Sequence, residues 1–148
     1  MKIKIILLSF SIFFVTGIGF AQKKNEPQSI ISEGVAIKKY HNIDELERMQ
    51  KGELLTLYIE RIEALTRVLP YIAFATKPGV TMSTLGIPND KDNRKVLENQ
   101  FEATDDYLKS TVEFQKIILP YSDTNKLIAA ILFYEETMKS LHQYSEFH

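Results

Sequence analysis

The chain has 148 residues, no cysteine, and 18 basic against 19 acidic residues, for a net charge of −1. That length is one domain's worth of chain, enough for an apolar core of its own. The lack of cysteine excludes a disulfide framework, thiol catalysis and c-type haem attachment. A near-neutral balance with no Lys/Arg cluster argues against a phosphate-tracking, nucleic-acid-binding surface.

Lys2 and Lys4 precede the apolar run Ile5–Val15, and Gly19 and Ala21 supply the small residues of a cleavage site before Gln22. This pattern predicts a secretory signal peptide over residues 1–21. The apolar run is shorter than the ~20 residues of a membrane span. The expectation is therefore a periplasmic or secreted protein with no stable membrane anchor after cleavage. Residues 22–42 read as a flexible tether and extended arm. Gln22–Ser29 is polar and contains Pro27, and Val35 and Ile37 alternate with their neighbours without a convincing strand partner.

Residues 43–148 carry helical signals. Asn42 is the predicted N-cap of a short helix with Asp44 and Glu45 in its first turn, where they suit the helix dipole. Gly52 divides it from a long helix or marks a bend. In that long helix Leu55, Tyr58, Ile62, Leu65, Leu69 and Ile72 follow a 3, 4, 3, 4, 3 spacing, the seam of a helix packed nearly parallel to others. Pro70 falls inside the seam and predicts a kink or break. The tripeptide Leu69-Pro70-Tyr71 recurs as Leu119-Pro120-Tyr121, where it closes a second long helix.

The second helix is predicted over about 91–119, with Asn89 or Asp90 as its cap and Leu97, Phe101, Leu108, Val112 and Ile118 inward. The third covers about 124–144, capped by Ser122 or Asp123. Leu127, Ile131, Tyr134, Met138 and Leu141 form its 4, 3, 4, 3 seam. It is apolar nearly all round and so is the most buried helix, or the contact of a homodimer. The expected architecture is all-α: an up-down-up antiparallel bundle of three main helices with a short preceding helix and an extended arm.

No G-x-S-x-G, H-E-x-x-H, G-x-x-x-x-G-K or G-x-G-x-x-G occurs, so no catalytic residue is assigned. A di-iron bundle needs inward Glu-x-x-His pairs. The residues three before His41, His142 and His148 are Lys38, Lys139 and Ser145. Asp105-Asp106 and Glu135-Glu136 read as solvated carboxylates, because adjacent helical residues point about 100° apart. Met138, His142 and Glu146, at i, i+4 and i+8, are a candidate metal face or, for the Met/His pair, b-type haem ligands.

The loop Thr76–Lys91 carries Val80, Met82, Leu85 and Ile87, next to Tyr71. These apolar side chains either close the end of the bundle or form a contact surface for a protein partner. The functional expectation is an exported, non-catalytic binding protein acting through this loop, without a cofactor, of which an immunity or inhibitor protein is one concrete form. The alternative is a periplasmic haem- or metal-binding bundle using Met138 and His142.

Overall fold

The computed structural model describes residues 27–145, and these form an all-α fold. The signal-peptide assignment over 1–21 and Glu146 lie outside the described residues. Four α-helices follow one another: α1 Ile43–Glu47, α2 Lys51–Val68, α3 Lys91–Ile118 and α4 Thr124–Ser145. No helix is long and apolar enough to cross a membrane, among the described residues.

Helix starts follow the local chemistry. At α1 the Asn42 side chain accepts from the Glu45 amide at 2.9 Å, and the Asn42 amide donates to the Glu45 carboxylate at 3.0 Å. This capping box satisfies two otherwise orphaned donors. Asp90 opens α3 by accepting from the Asn93 amide, and Asp123 opens α4 by accepting from the amides of Asn125 and Lys126. The α1–α2 break falls at 48–50. Gly52 sits in the first turn of α2, where a glycine disturbs no established ladder.

Both Leu-Pro-Tyr segments form single 3-10 turns, one directly after α2 and one directly after α3. Pro70 therefore ends its helix rather than kinking it, because it has no amide to donate onward. The two turns serve different parts of the core. Tyr71 joins a cluster with Leu65, Val68, Leu97 and Met138, whereas Leu119 joins Leu46, Leu54, Leu127, Ile128 and Ile131. Lys51 ties the second turn to the start of α2, its ammonium donating to the carbonyls of Pro120 and Ser122 at 2.8 Å each.

Helix α2 is central: α3 and α4 both pack on it, and α1 packs on α4. Its buried side chains are Leu54, Arg61, Leu65 and Val68, so the true seam is turned by about one position from the predicted one. Leu69 and Ile72 are exposed. The rotation has a specific cause, because a charged residue, Arg61, occupies the inward position. The α4 seam matches the periodicity, with Leu127, Ile131 and Met138 buried, and Ile128 and Glu135 inside with them.

The arm is part of the core. Ile30 and Ile31 are buried in the cluster with Leu65 and Met138, and Val35, Ile37 and Tyr40 pack against it. Ser29 bridges to Thr81, and the Ile30 amide donates to the Val80 carbonyl at 2.8 Å. The loop folds down to meet the arm. Gly86 closes its 3-10 turn Ser83–Leu85 at φ 73°, a left-handed conformation that glycine adopts without strain.

Candidate functional site

A charged cluster lies inside the bundle. Glu135 of α4 is fully buried, and His41 at the end of the arm and Arg61 of α2 are nearly so. One carboxylate oxygen, Oε1, accepts from His41 Nδ1 at 2.9 Å and from Arg61 Nε at 2.8 Å. The other, Oε2, accepts from the His41 backbone amide at 2.5 Å. Arg61 also donates from a terminal nitrogen to the Lys39 carbonyl at 2.8 Å. Two helices thus hold two residues of the arm through one carboxylate and one guanidinium. The bidentate reach of arginine suits this, since a lysine could not serve a carboxylate and a carbonyl in one plane.

Burial alone pushes the Glu135 carboxyl up. The hydrogen bonds from the His41 ring and backbone, and those of Arg61 with its charge, outweigh it and hold the group below the usual glutamate value of 4.5. The unfolded chain therefore takes up this proton at a higher pH than the folded chain does. The stabilisation is complete above the unfolded value and is lost as the pH falls through the lowered folded one. Urea midpoints measured from pH 7 down to pH 3 should fall with acid, and the Glu135→Gln protein should fall less over the same window. Parallel curves for the two proteins would contradict this electrostatic assignment.

His41 and Arg61 also line an open cleft of about 640 Å³ between the arm and α2, with Val35, Lys38, Leu57 and Arg67 on its walls. With Nδ1 engaged by Glu135, any contact to a cleft ligand falls to His41 Nε2. A carboxylate-oriented histidine is the geometry of a general base when a hydroxyl or thiol sits on its free nitrogen. Among the described residues no such group hydrogen-bonds the ring. The charges of the cleft are largely spent: Arg67 pairs with Asp105 at 2.6 Å and Lys39 with Glu45 at 2.9 Å. The geometry is that of a clasp.

Of the loop residues proposed as a partner surface, Met82 and Tyr71 are buried in the core, and Val80 and Ile87 pack against it. Leu85 is left, 37 % exposed. The side chains thus serve the lid alternative, because the arm and the ends of α2 and α3 otherwise leave the cluster open to water. The Tyr71 hydroxyl is sealed in without a hydrogen-bond partner among the described residues, and burial raises its pKa. Met138 is buried in the same cluster. No group of three potential metal-binding His, Cys, Asp or Glu side chains occurs among the described residues. Glu135, read from the sequence as solvated, is the most buried charge among the described residues, whereas Glu136, Asp105 and Asp106, read in the same way, are exposed.

The outer face of α3 carries a second seam that the inward reading of this helix passed over. Val96, Gln100, Ala103, Tyr107, Ser110, Phe114 and Ile117 follow a 4, 3, 4, 3, 4, 3 spacing along the helix, Tyr121 follows in the 3-10 turn after it, and all eight are exposed. The large apolar members, Val96, Tyr107, Phe114, Ile117 and Tyr121, are 55–87 % exposed. Only Leu97, Thr104 and Leu108 of this 28-residue helix are buried, on a different face. Ile118, expected inward, is exposed beside the outer seam.

Comparison with protein-family models, with curated proteins and with solved structures finds no match.

Proposed function

We propose that this chain is an exported, non-catalytic interaction protein whose binding face is the outer seam of α3. The observation that carries the reading is the exposed 3-4 repeat ending in Phe114, Ile117 and Tyr121. Five large apolar side chains at these exposures present on the order of 500–600 Å² of apolar surface, the upper end of what a monomer leaves open. The 3.5-residue period is the one a helix needs to lie alongside another helix. Leader-like residues 1–21 support export. Val80, Met82 and Ile87 pack in or against the core, which supports taking this helix rather than the loop as the contact. An immunity or inhibitor protein remains one concrete form of such a module.

Phe114→Glu tests it. The substitution is expected to leave folding stability within about 0.5 kcal/mol of wild type, as an exposed site allows. It should remove any protein that the wild type retains in affinity capture from its native envelope. Equal recovery by both proteins would overturn the reading.

A further inference from the structure

We infer that the occupant of the α3 face is an amphipathic helix of another protein, its apolar stripe bordered by lysine or arginine; this rests on the reading of α3 as the binding face. In a heptad frame Gln100, Tyr107 and Phe114 share one seam position and Val96, Ala103, Ser110 and Ile117 the other. One flank of the seam, at Leu97 and Thr104, turns into the protein's own core. The open flank is formed by the residues preceding Gln100, Tyr107 and Phe114. These include Asp106 before Tyr107 and Glu113 before Phe114, both exposed. Neither carboxylate has an ion-pair partner among the described residues. Lys109 and Lys116 stand about 50° further round the helix, turned away from a helix lying on the seam.

A second copy of the chain fits this flank poorly. In the antiparallel register that sets Tyr107 and Phe114 against Ile117 and Ser110, the two Glu113 carboxylates meet. Moving one heptad towards the N-terminus sets Asp106 against Glu113. A parallel pair places Thr111 opposite Asp106 and Ile118 opposite Glu113, so no cation reaches either acid. Flanking charges decide partner choice in such pairs, and like charges facing each other reject one. A basic-flanked helix supplies both cations and the apolar stripe.

The test uses two synthetic helical peptides with the same Leu/Ile seam, one flanked by lysine and one by glutamate. Binding to the full-length protein is followed by fluorescence anisotropy. The lysine peptide is expected to bind at least ten-fold tighter and to weaken with salt. Asp106→Lys/Glu113→Lys should reverse the preference, and Phe114→Glu, checked as folded by circular dichroism, should abolish both interactions. Equal or tighter binding of the glutamate peptide, still lost in Phe114→Glu, would overturn the basic partner and leave the α3 face standing. So would a concentration-dependent dimer in sedimentation that Phe114→Glu dissolves, which would make a second copy the occupant. Binding of neither peptide that responds to Phe114→Glu would overturn both inferences.

Discussion

Replacing Glu135 by alanine is expected to cost about 3–5 kcal/mol of folding stability, the largest effect of any single polar substitution in this chain. The loss has little to do with contacts made by the glutamate side chain alone. It leaves the buried Arg61 guanidinium with only the exposed Glu60 carboxylate, 3.5 Å from a terminal nitrogen, and it leaves the His41 backbone amide and ring nitrogen without an acceptor. Each orphaned donor costs about 1–3 kcal/mol, more when charged. Glu135→Gln keeps the volume and one acceptor but not the charge, and should fall between wild type and alanine. The decisive variant is the double replacement Arg61→Met/Glu135→Leu, which removes both charges together. It should recover the part of the loss that comes from the unpaired guanidinium, because apolar pairs of similar volume often replace buried ion pairs without penalty, while the two His41 donors stay without an acceptor. Urea denaturation of the wild type, Arg61→Met, Glu135→Leu and the double variant gives the coupling directly. Additive losses in the double variant would show that the two side chains do not act as a pair.

Ile31→Ala is expected to cost 2–5 kcal/mol, as large as a core truncation in a helix. Ile31 is fully buried, yet it stands in an irregular segment before the first helix. A residue in a free tether would register nothing. Here the cavity opens beside Leu65, Val68 and Met138, where both α2 and α4 lose packing. Lys38→Ala in the same arm, exposed, serves as the control and should change stability by less than about 0.5 kcal/mol. Amide exchange should report the same contrast, with Ile30 protected in the wild type through its hydrogen bond to Val80 and released in the variant. An unchanged urea midpoint for Ile31→Ala would mean that the arm does not support the bundle.

What the sequence made legible follows from how local each signal is. The caps at Asn42, Asp90 and Asp123 were readable because a side-chain oxygen and the amides it accepts from lie within three residues. The α4 seam was readable because its period is nearly all apolar. The α2 seam drawn from the apolar residues is displaced by about one position because it leaves out Arg61, a charge that faces inward. Its inward position is set by a carboxylate 74 residues away, which no local pattern contains. A signal for the buried cluster did exist: Glu135 lies four residues after Ile131 and three before Met138, inside the apolar stripe of the most hydrophobic helix. A charge inside a seam asks for a buried partner. The arm gave no comparable clue, since Ile30-Ile31 is a lone apolar pair without a period. The outer stripe of α3 was hidden by the inner one. Once Leu97, Phe101 and Leu108 explain a helix, a second set of positions at the same period is easily taken for scatter.

The His41–Glu135 contact also joins residues 94 apart in the chain. Closing so long a loop costs entropy that only the finished cluster returns. An emerging polypeptide can fold the short-range pieces early, the caps and the individual helical turns, but the cluster around Ile31 and Met138 has to wait for α4. Until then Ile30, Ile31, Leu65 and Val68 stand open to solvent. The order of assembly is therefore imposed by which residue carries the carboxylate: the beginning of the domain stays unfinished until its end arrives.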